Sequence, residues 1–148
     1  MKCGAFEIHE GATRGECAAL AEGIWDGELK AACIEGIDRG FLGRAFWGLA
    51  GRSRTYVAEI DGHLAGICFV EDFGDRREMS FAKTQYLATE RKITFARSIA
   101  ALFRALRDLE RGQGDGPMVF HVPDERSKAW FLKTCQGEIS EKMSLMSL

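Results

Sequence analysis

Apolar residues recur every three to four positions in four segments of the chain, which is the period of an amphipathic helix. The first helix is predicted to follow Thr13, which has the spacing of a capping box with the glutamate three residues on. A second helix is predicted over 41–49, with Ala45 on its inward face. The other two are a long helix after Arg91 and a last helix capped by Asp124.

Runs rich in β-branched and aromatic residues predict strands between these helices. Asp61-Gly62 separates two such runs, and this pair is a strong hairpin signal. Gly66 lies within the second run and indicates a bulge or a close backbone approach. The predicted strands are 6–9, 55–60, 64–70, 79–87 and 118–122, with room for one edge strand after Gly137.

These elements follow the order β-α-α-β-β-β-α-β-α, with an optional final strand. A meander followed by strand–helix–strand–helix predicts an α/β fold, in which a mixed sheet carries helices on both faces. The length of 148 residues suits one domain, 1–148, with one hydrophobic core.

Composition narrows the classes of function. The net charge of −2 gives no overall field for nucleic acid or an acidic membrane surface, so neither partner is expected. No segment approaches the roughly 20 apolar residues that cross a bilayer, and no signal peptide is expected. Five scattered cysteines without a C-x-x-C pair argue against a disulfide framework and favour a reducing cytoplasm.

The segment 90–96 joins a predicted strand to the start of the long helix. Unpaired backbone N–H groups and the positive end of the helix dipole suit an anion such as a pyrophosphate at this junction. Arg91 and Lys92 oppose the dipole there, and a bound anion would remove that conflict. The junction is therefore the predicted cofactor site.

The element order and the residues Arg91-Lys92-Ile93-Thr94-Phe95-Ala96 resemble the GNAT family of N-acetyltransferases. That family's pyrophosphate loop reads Arg or Gln, two residues, Gly, one residue, and Gly or Ala. Arg91 and Ala96 match its ends, whereas Thr94 replaces the glycine that lets amides approach phosphates. The resemblance implies a GNAT-like acyl-CoA N-acyltransferase fold, acetyl-CoA as acyl donor and an amine as acceptor. The cofactor contacts it implies are Tyr86, Leu87, Ala88, Arg91, Lys92, Thr94, Phe95, Ala96, Ser127 and Phe131.

The segment 122–127 resembles the opening of the family's last helix, Val-Asn-x-x-Ala, with Asp124 for Asn and Ser127 for Ala. The family's tyrosine, which often protonates the leaving thiolate, falls on Phe131, and a phenyl ring has no proton to give. Gln85–Thr89 and Trp130–Cys135 resemble the GNAT-like proteins of phages and prophages.

The departures at Thr94 and Phe131 support an alternative to the enzyme. In it, the protein is a catalytically inactive GNAT-like phage or prophage protein that acts in virion morphogenesis or protein interaction. It would then bind a phage protein and be found in the virion. Relatives of this family often dimerise, so the resemblance also implies a homodimer as one possible state.

Two side chains are candidates for the catalytic base. His121 lies on the strand beside the predicted pocket, and imidazole is an effective base near neutral pH. Glu71, with Asp72 and Glu78 nearby in sequence, could deprotonate an amine through water. The alternatives are a His121 that is only hydrogen-bonded within the fold and a Glu71 in a solvated turn. The three histidines lack paired spacing, so no metal site is expected.

Overall fold

The computed structural model describes residues 2–3, 6–24, 39–84, 92–113, 117–122, 129 and 143–147. Within these ranges, only the backbone is described for 2–3, 39, 92–100, 122 and 143–147. The predicted last helix after Asp124 lies outside the described residues, apart from Ala129, which is helical.

The first helix, α1 (Arg14–Ile24), begins at the predicted capping box. The Thr13 hydroxyl accepts a hydrogen bond from the Glu16 amide at 3.1 Å, and Glu16 Oε1 accepts one from the Thr13 amide at 2.8 Å. Two donors that a helix start would leave unpaired are thereby satisfied. The helix buries Cys17, Leu20 and Ala21, which confirms its predicted apolar face.

The second helix, α2 (Arg39–Ala50), packs on α1 and on the sheet. The close approach to α1 occurs at Gly43, where an added Cβ would lie 3.5 Å from the Ala18 Cα. The Phe46 ring stacks on Phe69 of the sheet at 5.9 Å between centroids. Ala45 is exposed, contrary to the prediction, because the contact with α1 draws a different stripe of α2 inward.

The described strands form one sheet whose spatial order follows the sequence. The hairpin turn at Asp61-Gly62 has φ values of 51° and 79°, the left-handed geometry that an Asp-Gly hairpin requires, and it confirms that prediction. The strands are β1 (Lys2–Cys3), β2 (Phe6–Glu10), β3 (Arg54–Ile60), β4 (His63–Asp72), β5 (Arg77–Lys83), β6 (Met118–Val122) and β7 (Met143–Ser147).

The sheet is mixed, as predicted. Strands β1 to β5 pair antiparallel, whereas β5 with β6 and β6 with β7 pair parallel. The parallel step from β5 to β6 needs a crossover, and the long helix α3 (Lys92–Arg111) lies in that connection. The edge strand predicted near the C-terminus is present as β7.

Each face of the sheet carries its own hydrophobic cluster, so helices cover both faces. Leu102, Phe103 and Leu106 of α3 pack on one face, which includes Tyr56 and Met79. On the opposite face, Cys17 and Leu20 of α1 pack with strand residues such as Val57, Ile67 and Phe69. The two-sided sheet is the predicted α/β architecture.

Gly66 of β4 marks a bulge and a close approach, as predicted. The β3–β4 register shifts next to it, between Ala58 and Glu59. A Cβ at Gly66 would lie 2.3 Å from the Ala82 carbonyl oxygen and 2.6 Å from the Phe81 ring. Only glycine fits this position without displacing the backbone of β5.

A buried ion-pair network fastens α3 to the sheet. Glu110 of α3 is fully buried and pairs with Arg54 of β3 and Arg77 of β5. The Tyr56 hydroxyl donates to Glu110 Oε2 at 2.8 Å. Two guanidiniums and a phenol thus compensate one carboxylate that water cannot reach.

None of the helices in the described part of the chain is long and apolar enough to cross a membrane.

Candidate active site

The pairing between strands β5 and β6 ends before the carboxyl end of β5. Their ladder ends at the pair Ser80 and His121, whereas β5 continues to pair with β4 as far as Lys83. Beyond Ser80, the edge of β5 that faced β6 therefore has no partner from β6 in the described residues. An extended ligand can hydrogen-bond such an edge.

His121 lies at the last pair of the β5–β6 ladder, where its side chain contacts Glu78 of β5. The His121 Nε2 atom lies 2.6 Å from Glu78 Oε1, and both side chains are about four-fifths buried, with 17% and 18% exposed. Both lie on the sheet face covered by α1 and α2, since Phe69 of that face pairs with Ser80 and Ser80 pairs with His121. Strand register alone brings these two residues together from distant parts of the chain.

Arg76 completes the set of contacts around the Glu78 carboxylate. Its Nε donates to Glu78 Oε2 at 2.8 Å, and its Nη1 lies 3.0 Å from Asp75 Oδ1. The hydrogen bond from His121, followed by the hydrogen bond and charge of Arg76, lowers the pKa of Glu78. Glu78 is therefore ionised at neutral pH and can accept the Nε2–H of the imidazole.

This hydrogen bond determines which imidazole nitrogen is basic. With Nε2–H donated to Glu78, the neutral ring carries its lone pair on Nδ1. His121 Nδ1 is buried and has no hydrogen-bond partner among the described residues. Proteins rarely bury a polar atom without a partner, and one of the physical reasons for doing so is a role in catalysis.

Glu71, the second predicted base, lies directly opposite Glu78 in the β4–β5 register. It is part of β4 rather than of a solvated turn, and it is half-buried. In the described part of the chain, its side chain makes no ion pair or hydrogen bond. The Glu71 and Glu78 carboxylates face each other across the ladder, and Arg76 neutralises the charge of Glu78.

The predicted cofactor contacts divide between described and undescribed residues. Helix α3 starts at Lys92, so Thr94, Phe95 and Ala96 belong to its first turns. Four amides at such a start lack partners within the helix. The other predicted contacts, Tyr86, Leu87, Ala88, Arg91, Ser127 and Phe131, lie outside the described residues.

Sequence reasoning missed Glu78 as the partner of His121 and missed Arg76 entirely. In the sequence, Glu78 is only one of several carboxylates near Glu71. The alternation of Arg77, Glu78, Met79 and Ser80 does place Glu78 on the polar face of its strand. The register between β5 and β6 brings Glu78 to His121, and no local sequence pattern indicates that register.

Comparison with solved structures identifies the fold. The structure superposes on that of a ribosomal-protein-alanine N-acetyltransferase from Brucella melitensis biovar Abortus 2308 with a TM-score of 0.54. The two proteins are 12% identical over 93% of this chain and 94% of that chain. An aminoglycoside N-acetyltransferase in complex with CoA gives a TM-score of 0.52, at 10% identity over 89% of this chain and 86% of that chain. A predicted acetyltransferase from Clostridium acetobutylicum with acetyl-CoA gives 0.50, at 12% identity over 92% of each chain.

No protein-family model and no curated protein sequence matches the chain. The structural likeness nevertheless covers nearly the whole chain, and it confirms the fold that the sequence resemblance implied. The protein has the GNAT acetyltransferase fold.

Proposed function

We propose that this protein is an N-acyltransferase that transfers an acetyl or other acyl group from acyl-CoA to an amine. The observation that carries the proposal is the Glu78–His121 pair at the end of the β5–β6 ladder. In support, His121 is hydrogen-bonded to a carboxylate beside a strand edge that β6 leaves unpaired in the described residues, and the fold is shared with acetyltransferases that were solved with CoA or acetyl-CoA.

Acyl-CoA would lie between the end of the β5–β6 ladder and the start of α3. The edge of β5 beyond Ser80, which no described residue of β6 pairs, offers backbone hydrogen bonds to the pantetheine amides. The amides of the first α3 turn, with Arg91 and Lys92, offer donors and positive charge to the pyrophosphate. Bound acyl-CoA supplies the activated thioester carbonyl.

The protein's own part in the reaction is proton transfer. A protonated amine is drawn to Glu71, and His121 Nδ1 accepts its proton so that the nitrogen can attack the thioester carbon. The Glu78 carboxylate stabilises the imidazolium that forms. The nitrogen of the tetrahedral intermediate gives its second proton to water, and the carbon–sulfur bond then breaks; the imidazolium returns its proton to solvent. Because Phe131 has no proton to give, the thiolate takes one from water.

The test combines binding and turnover. Isothermal titration calorimetry with acetyl-CoA and with CoA measures donor binding, and mass spectrometry of an amine panel detects acylation. His121→Gln should lower kcat by about 100- to 10,000-fold while the affinity for acetyl-CoA stays unchanged. Glu78→Gln should also lower kcat, because the neutral glutamine side chain cannot stabilise the imidazolium by charge.

His63→Gln is the matched control, since His63 is exposed at the start of β4, whereas Glu78 pairs with Glu71 near the other end of that strand. It should leave both kcat and binding unchanged. Full turnover in His121→Gln would refute the role of this base. No binding of acetyl-CoA or CoA at millimolar concentration would refute the acyltransferase itself.

That second outcome would favour the alternative based on Thr94 and Phe131, a non-catalytic protein that keeps the fold without its chemistry. In a phage or prophage it would act in virion morphogenesis or protein interaction, through a stable protein partner. Pull-down from a phage lysate measures this directly, and neighbouring head or tail genes would support it.

A further inference from the structure

A second group of ionisable side chains lies at the β2–β3 side of the sheet, away from Glu78 and His121. His9 of β2, Glu16 of α1 and Glu59 of β3 point toward one another. His9 Nε2 lies 2.9 Å from Glu16 Oε2, and one ligand atom from each of the three residues lies within 4.8 Å of the others. We call these three residues the His9 cluster.

The fold holds one member of the His9 cluster in place. Glu16 uses Oε1 to cap α1 at Thr13, which leaves Oε2 directed at His9. The Glu16 carboxylate is therefore positioned by a contact that does not depend on any ligand. Glu59 lies beside the β3–β4 bulge.

The His9 cluster brings two carboxylates to one imidazole. A divalent cation between the ligand atoms would bind both carboxylates and the imidazole nitrogen at once.

We propose that His9, Glu16 and Glu59 bind a divalent transition-metal ion, for which Zn²⁺ is the appropriate probe. The set of one imidazole nitrogen and two carboxylate oxygens suits Zn²⁺, and water can fill the fourth position. Mg²⁺ and Ca²⁺ prefer all-oxygen sites, so they should bind less well. The proposal is independent of the acyltransferase reaction.

Sequence spacing could not reveal the His9 cluster. The three ligands come from two strands and a helix, and no two of them have the short spacing of known zinc motifs. The expectation that the dispersed histidines form no metal site rests on spacing alone. The tertiary structure supplies the proximity that the spacing lacks.

The competing explanation is a simple ion pair between protonated His9 and Glu16, with no metal. Titration of the whole chain with Zn²⁺ at pH 7.5, followed by calorimetry and thermal unfolding, distinguishes the two. The proposal predicts stoichiometric binding and a higher Tm, with smaller effects of Mg²⁺ and Ca²⁺. An unchanged Tm and no heat would overturn it.

Variants locate the ion. His9→Gln and Glu59→Gln should each weaken Zn²⁺ binding by more than about tenfold, and both leave the capping box intact. His63→Gln is again the matched control and should bind like the wild type. Because cysteines can also bind Zn²⁺, Co²⁺ spectra should show no thiolate charge-transfer band. Wild-type affinity in His9→Gln, or a thiolate band, would overturn the assignment.

Discussion

Glu110 is the residue whose change tests the packing of α3 most directly. Its carboxylate is fully buried and accepts from the Tyr56 hydroxyl at 2.8 Å and from Arg54 Nε at 3.2 Å. Arg77 Nη1 lies 3.3 Å from Oε1, and the Arg77 side chain is only 5% exposed. Glu110→Gln keeps the shape of the side chain but removes the charge. It therefore removes the negative charge with which the buried Arg77 forms its ion pair.

Removing one partner of a buried pair costs about 3–5 kcal/mol. Arg54, with 27% of its side chain exposed, can turn toward water, so Arg77 accounts for most of this loss. For a domain of this size, 1 kcal/mol lowers Tm by about 2–4 °C, so the expected fall is roughly 6–20 °C. That is a large part of a total stability of about 5–15 kcal/mol.

Urea and thermal unfolding at pH 7, followed by circular dichroism, measure this effect. Asp108→Asn is the matched control on the same helix, because the Asp108 side chain is 55% exposed, although it pairs with the largely buried Arg107 as well as with the exposed Arg111. An exposed pair contributes about 0–1 kcal/mol, so the control should unfold close to the wild type. A Glu110→Gln protein within 1 kcal/mol of the wild type would refute the reasoning, since it would mean that the charge of Arg77 is compensated elsewhere.

Three further predictions concern the same core. Burial, and then the hydrogen bond to the charged Glu110 carboxylate, raises the pKa of the Tyr56 phenol. The phenol therefore contributes its full stabilisation of the folded state below about pH 10, and this contribution is lost as the pH rises further. Tyr56→Phe should lack this alkaline loss of unfolding free energy in urea titrations. An identical alkaline step in the variant would contradict this. Burial likewise raises the pKa of the Cys68 thiol, so alkylation mapped by mass spectrometry should leave Cys68 unmodified in the native protein at pH 8. Its rapid modification without unfolding would contradict the burial. Gly66→Ala should lower the free energy of unfolding by about 1–3 kcal/mol, because its Cβ meets the Ala82 carbonyl oxygen; urea unfolding equal to the wild type would show that β5 can move aside.

The local elements of this fold could be predicted because their signals lie within a few residues of one another. The capping box at Thr13 and Glu16 determines where α1 begins, and both of its hydrogen bonds are present in the structure. Asp61-Gly62 determines the hairpin, since few other pairs adopt its positive φ values. The alternation of strand residues determines which side chains face each helix layer.

The site depends on distances along the chain that local patterns do not encode. The sequence named His121 and Glu71 as candidates, but the β5–β6 register selected Glu78 as the partner of His121. Tertiary packing likewise buried Glu110 between two arginines and brought His9 to Glu16. Local periodicity determines the face on which a residue lies. Only the pairing of distant strands and the seating of helices on them determine which residue it meets there.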